Sequence, residues 1–340
     1  MARLRRADCS GPGLRRRRRG RGFEYLDEAG RHIDDSAVLE RIAELAIPPA
    51  WSDVWICADA NGHIQAVGTD AAGRRQYLYH PAWRERRDRE KFDDMVRFAR
   101  ALPGLRVVVA RDLRRRGWPR QKVLACAVRL LDRGFFRIGS ESYAEANKTY
   151  GLATMQRRHV TLDGSGVVRF DYASKGGKRR VQSVVDPDVY RVVAGLKRRT
   201  TGRLLAFKEG GRWTDITSGD INEYVKEATG DDGFSAKDFR TWNATVLAAV
   251  ALAVSGAAHR SPTARKRAVT RAVAEVAHYL GNTPAVCRAS YIDPRVFDRF
   301  RDGLTIGGAL PDLGDVEPVE EAVLDLLDHD FDSPAIVSVA

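Results

Sequence analysis

The stretch LGNTPAVCRASYI, residues 280–292, decides how this chain is read. It closes a helical pattern, SPTARKRAVTRAVAEVAHYLG (261–281), that opens with a Ser-Pro start signal and stops at Gly281. Just past the stop stands an amide, Asn282, and nine residues later a phenol, Tyr291. As an ordinary core aromatic, Tyr291 needs no companions. As a nucleophile toward a phosphate it needs cations to hold the non-bridging oxygens and an acid to protonate the leaving oxygen. Those groups can be sought in the rest of the chain.

Composition says which partners to expect. With 340 residues the chain has room for two domains, each with its own core. Its net charge is +12, yet residues 311–340 hold nine acidic side chains and no Lys or Arg, which leaves +21 on the residues before them. Such an excess suits a phosphate polymer, whose binding releases condensed counterions. An anionic membrane surface is the rival, but no basic amphipathic or lipidated segment is present, and no apolar run approaches the roughly 20 residues of a membrane span. The N-terminal MARLRRADCSGPGLRRRRRGRG has charge without a following apolar segment, so a cytoplasmic protein is expected. Cys9, Cys57, Cys126 and Cys287 are scattered, with neither C-x-x-C spacing nor a Cys/His cluster, and read as reduced structural thiols. SKGGKR (174–179) lacks the spacing of a phosphate-cradling P-loop, which argues against an ATP-driven motor.

Along the chain four regions separate. Residues 1–21 are Arg- and Gly-rich and predict a disordered basic arm. Residues 22–88 predict a β-rich domain: one helix, SAVLERIAELA (36–46), then strands VWICAD (54–59), HIQAVGTD (63–70) and RRQYLYH (74–80) divided by Asn61-Gly62 and Ala72-Gly73 turns. The charged WRERRDREKF (83–92) reads as a linker running into a helix. Over 89–308 helices dominate, with apolar stripes in 121–136, 235–255 and 261–281; between them RHVTLDGSGVVRFDYASKGGKRRVQSVV (158–185) predicts a three-stranded meander. Residues 309–340 form an acidic tail, read as an appendage. The fold class is therefore α+β, a small mainly β N-terminal domain and a larger mainly α domain that holds the meander.

Arginine suits phosphate oxygens because its planar fork offers parallel donors and keeps its proton, which also makes it a poor acid. Lysine, with a reference pKa near 10.4, can give a proton up when neighbouring cations lower that value. The chain has 47 Arg but only 10 Lys, so Lys175, in the tight turn of YASKGGK, draws interest beyond a solvated hairpin charge. Arg137, in GFFRIGSESY, follows an apolar helix end and could be a mere cap. Arg240, in KDFRTWNAT, stands among apolar neighbours and must meet a carboxylate or a ligand phosphate. Each of these residues alone has a bland alternative.

Taken together, FFRIG, the Lys175 hairpin, KDFRTWNAT and LGNTPAVCRASY, with NKTYGLATMQRRHV (147–160) between them, resemble the bacterial, poxvirus-like type IB DNA topoisomerases in order and separation. The resemblance covers roughly residues 22–305. It implies a tyrosine recombinase/type IB topoisomerase-like fold and ATP-independent relaxation of supercoiled double-stranded DNA, with no cofactor or metal. By that resemblance Tyr291 would form a 3′-phosphotyrosyl link and release a 5′-hydroxyl. Arg137 and Arg240 would hold the non-bridging oxygens, and Lys175 would protonate the departing 5′-oxygen. Asn282 stands where many relatives carry histidine; it can donate a hydrogen bond but cannot shuttle a proton. GRRQYLYH (73–80) is similar to the segment that reaches the major groove, which makes Gln76, Tyr77 and Tyr79 candidate DNA contacts, with Tyr77 and Tyr79 on one strand face. Tyr143 is a further candidate. The implied assembly is a monomer whose two domains close as a clamp around the duplex.

Two other readings compete. A tyrosine recombinase shares the nine-residue step to the tyrosine, but usually has H-x-x-R where this chain has Lys237-Asp238-Phe239-Arg240, and a helical N-terminal domain. A non-catalytic DNA-compacting protein would share the charge and form no covalent adduct.

Overall fold

Residues 3–199, 202–256, 261–312 and 315–338 are described by the computed structural model, and the chain divides into two compact units, 1–91 and 92–340. The first contains β1 (Leu14–Arg19), β2 (Gly22–Leu26), α1 (Ser36–Glu44), β3 (Ser52–Ile56), β4 (Ile64–Thr69) and β5 (Arg75–Tyr79). All strand pairs are antiparallel, in the order β2-β1-β3-β4-β5. Alternation sends Leu14, Ile56 and Ala66 to one face, where they pack with Ile42 of α1. Trp55, Cys57 and Val67 point to the other, against Ala7 and Cys9. α1 starts where the Asp35 carboxylate accepts the N–H groups of Ala37 and Val38.

The expected disordered arm is overturned here. Residues 14–19, the most Arg-rich run in the chain, are a strand paired on both sides, with β2 and with β3. Leu14 is buried. The Arg16 guanidinium donates to the carbonyls of Ile47, Pro48 and Trp51 and lies 4.2 Å from the Phe23 ring centroid. Arg17 pairs with Glu24 on the neighbouring strand. Composition suggested disorder, but the ladder hydrogen bonds and one inward leucine set the structure. Met1 and Ala2 of that arm lie outside the described residues.

The expected linker is also structured. Residues 83–92 belong to α2 (Pro81–Leu113), where the Arg86–Glu90 pair at 2.9 Å has the i, i+4 spacing that supports a helix surface. The boundary between the units falls within this helix.

The second unit continues with α3 (Arg120–Gly134), α4 (Glu141–Asn147), the meander β6 (Val160–Leu162), β7 (Val167–Ala173) and β8 (Arg179–Val185), then α5 (Pro187–Lys197) and a hairpin, β9 (Ala206–Glu209) and β10 (Arg212–Asp215). Next come α6 (Ser218–Thr229), α7 (Ala236–Val254), α8 (Pro262–Leu280), α9 (Pro284–Ser290), α10 (Pro294–Arg301), the short β11 (Leu304–Thr305), α11 (Val316–Asp328) and β12 (Val337–Ser338). Helix α7 runs through the centre: Phe239, Trp242, Ala248 and Leu252 are buried along its stripe. Its N-terminus is set by a capping box between Ser235 and Asp238. The whole is a mixed α and β chain, with a small N-terminal sheet and a larger helical part.

The acidic tail is no appendage. Helix α11 buries Val319, Ala322, Val323, Leu326 and Leu327 in the main core. Glu320 lies between Arg106, which donates to it at 2.6 and 2.9 Å, and the Trp242 indole N–H at 2.9 Å. An apolar stripe outweighed the charge that made this segment look detached. Residues 313–314 and 339–340 of the tail lie outside the described residues.

Candidate active site

Three pieces of backbone meet at the C-terminal end of α8. The first is the segment after α3. Its Arg137 carbonyl accepts the Leu152 N–H at 2.8 Å, and Gly139 lies so close to Gly151 that a Cβ on the latter would sit 2.4 Å from the Gly139 Cα. Only paired glycines allow this approach, and it fixes where Arg137 starts. The second is the β7–β8 hairpin, whose turn holds Lys175 with Gly176 and Gly177 at φ of 79° and 74°. The third is the end of α8 itself, where Gly281 takes the left-handed conformation at φ 64° and turns the chain toward α9.

Arg137, Lys175, Arg240 and Tyr291 line one cleft of about 380 Å³, together with Tyr143 of α4. Tyr291 sits at the C-terminal end of α9, its ring centroid 5.4 Å from the Arg240 guanidinium carbon. Arg240, only 4% exposed, donates to the carbonyls of Phe135 and Leu280. Arg137 donates to the Gly281 carbonyl at 3.1 Å and to Asn282 Oδ1. Asn282 is thus bonded to a cleft residue through its oxygen, while its buried amide nitrogen faces the Cys287 thiol and, among the described residues, has no oxygen or nitrogen partner.

Electrostatics follow from the partners. Among the described residues no carboxylate pairs with Arg137 or Arg240; both rest on neutral carbonyls and an amide oxygen. Burial, then the Arg137 charge beside it, pulls the Arg240 guanidinium down to about 10, with Tyr291 opposing. Even so it stays cationic at neutral pH. Concentrated positive charge with little carboxylate compensation is what an anion such as a phosphodiester would complete. Among the described residues no cluster of His, Cys, Asp or Glu could hold a metal ion.

The remaining candidates are placed as follows. Tyr77 and Tyr79 are exposed on the edge strand β5, their rings stacked at 6.1 Å on the same face, so they are not sheet core. Gln76 points away, and its amide donates to Asp70 at 3.0 Å. The sequence reading missed Ser140, Thr149, Tyr150 and Lys237, which also line the cleft. Lys237 had a usable signal, since the scarcity of lysine that singled out Lys175 applies to it equally.

Comparison with known proteins gives the family of the chain. Residues 80–303 match the family described as eukaryotic DNA topoisomerase I, catalytic core, and residues 22–70 match bacterial DNA topoisomerase IB, N-terminal domain. The chain is 30% identical over 289 residues to the DNA topoisomerase 1B of Acanthamoeba polyphaga mimivirus, covering 82% of this chain and 85% of that one. It is 20% identical over 274 residues to the DNA topoisomerase 1B of Vaccinia virus (strain Copenhagen), covering 79% and 84%. With the two domain matches side by side and a relative matched over most of its length, the chain belongs to the type IB DNA topoisomerase family.

Proposed function

We propose that this topoisomerase relaxes supercoiled duplex DNA without ATP, by cutting one strand through a 3′-phosphotyrosyl intermediate. In the forward step the Tyr291 oxygen bonds to phosphorus and its proton leaves to solvent. The bond from phosphorus to the 5′-oxygen breaks, and that oxygen takes a proton from the Lys175 ammonium. Arg137 and Arg240 hold the non-bridging oxygens as charge builds, and the Asn282 amide donates to one of them. The phosphotyrosyl ester keeps the energy of the broken bond, so the 5′-hydroxyl can reattack after strand rotation, and no nucleotide is consumed.

One observation carries this reading: four residues from four separate segments line a single cleft, and among the described residues its arginines lack carboxylate partners. Gln76, Tyr77, Tyr79 and Tyr143 serve as DNA contacts in this proposal, and the chain acts as a monomer whose two units engage one duplex as a clamp. The test is plasmid relaxation in chelator and without ATP, with denaturant trapping of the adduct. Tyr291→Phe should keep DNA affinity within about threefold and lose relaxation and adduct together, since it removes only the attacking hydroxyl. Relaxation by that variant at the wild-type rate would overturn the assignment.

A further inference from the structure

Arg180, on β8, faces the same helix end as Arg137 and Arg240. Its guanidinium donates to the His278 carbonyl at 3.1 Å and to the Tyr279 carbonyl. A Cβ on Gly281 would sit 2.9 Å from the Arg180 Nη1, so the glycine that ends α8 also makes room for this side chain. Three guanidinium groups therefore occupy the carbonyls of His278, Tyr279, Leu280 and Gly281, where the helix dipole presents its negative end. As with the other two, no carboxylate among the described residues pairs with Arg180.

On its other side Arg180 meets the hydroxyl of the buried Tyr172 on β7. That hydroxyl donates to Gln182 at 2.8 Å, and the Gln182 amide donates to the Gly134 carbonyl, three residues before Arg137. Tyr172 and Arg180 form the cross-strand pair next to the Ala173–Arg179 pair that closes the Lys175 turn, and Gln182 lies two residues further along β8. The turn itself is exposed, and among the described residues the Lys175 amine has no hydrogen-bond partner. Its position is set by the strand pairs just beneath the turn, and these are fastened to α8 through Arg180.

From this we propose that Arg180 is a positioning residue: it docks the β7–β8 hairpin on the carbonyl end of α8, so that the Lys175 amine enters the cleft beside the Asn282 turn. The proposal rests on the cleavage chemistry given above. A misplaced amine fails as a proton donor, while the cations and nucleophile on the other elements stay in place. Loss of Arg180 should thus resemble loss of the acid, and not loss of transition-state charge.

The experiment is single-turnover cleavage by the full chain on two strands, one ordinary and one with sulfur at the 5′-bridging position, where a thiolate departs without an acid. Arg180→Ala should slow the ordinary strand by about 100-fold, the scale of a displacement near 1 Å, and cut the sulfur strand within about threefold of wild type. Arg180→Lys, which keeps one donor for the carbonyls, should recover most of the loss. Tyr172→Phe removes only the supporting hydroxyl and should show the same pattern more weakly, which keeps the question open to test should Arg180→Ala fold poorly. Equal slowing of both strands, or no slowing of either, would overturn the role. Lys175→Ala is the control: if sulfur fails to rescue that variant, the acid assignment itself falls. If sulfur rescues it but not the Arg180 variants, only the positioning claim falls.

Discussion

Replacing Glu320 with alanine tests whether the acidic C-terminal helix is part of the catalytic unit. Three hydrogen bonds end on this carboxylate, two from Arg106 and one from Trp242, at 2.6 to 2.9 Å. Bonds to a charged group contribute about 1.5–3 kcal/mol each, but the variant also recovers the desolvation cost of a nearly buried carboxylate. Arg106 is not abandoned, because Asp132 still accepts from it at 3.0 and 2.9 Å. The Trp242 indole does lose the one acceptor it has among the described residues, inside a fully buried site. The balance is about 3 kcal/mol, the low end of the effect of breaking a buried pair. At about 2–4 °C per kcal/mol for a unit of this size, the melting temperature should fall by about 10 °C. The assay is calorimetry of the full chain, with Glu321→Ala, an exposed neighbour, as control. A shift under about 2 °C would mean that α11 does not hold this place in solution.

Two predictions concern pH. Asn282→His should add an acid limb to cleavage, with the rate falling at or below about pH 6.5. The neighbouring arginines disfavour the imidazolium, and once protonated it can no longer accept from Arg137; a pH profile unchanged from wild type would refute the contact. His159 packs against Tyr150 with ring centroids 4.4 Å apart and accepts the Gln156 N–H at 3.2 Å. Burial, then the Arg158 charge, lowers its pKa. A depressed folded-state value means stability present above the unfolded value near 6.5 and lost as pH falls through the folded one. Melting temperature should therefore drop on acidification below about 6.5, and His159→Gln should flatten that limb; parallel curves for the two proteins would count against it.

What the sequence made legible was local. The Ser-Pro start and Gly281 stop bracket α8, and Gly176-Gly177 marks the hairpin turn, because those positions depend on backbone conformations that few residues adopt. Charge was a poorer guide. Five consecutive arginines said disorder, but β1 hydrogen-bonds to two strands and needs only Leu14 inward. The tail of nine carboxylates hid the apolar stripe Val316, Val319, Val323, Leu326 and Leu327, visible at helical spacing once the charge is set aside. Lys175 stood out because lysine is rare here. Arg180 could not, because nothing in the spacing separates it from the other arginines, and its place depends on a helix end about one hundred residues away.

The same abundance poses a problem that the cleft resolves. A buried guanidinium is unstable without a partner, and the ordinary partner is a carboxylate, as Arg106 finds in Asp132 and Glu320. Such a pairing would neutralise the charge before a phosphate arrived, and would set an anion against the incoming one. Helix-end carbonyls avoid both effects. They already lack intrahelical donors, they carry partial negative charge, and they hold a side chain at fixed geometry while leaving its full charge unspent. Ending α8 inside the site gives Arg137 and Arg240 orientation without neutralisation, and the turn that ends it delivers the Asn282 amide to the same place. A carboxylate introduced beside these arginines would satisfy them better in the free protein and serve the DNA worse.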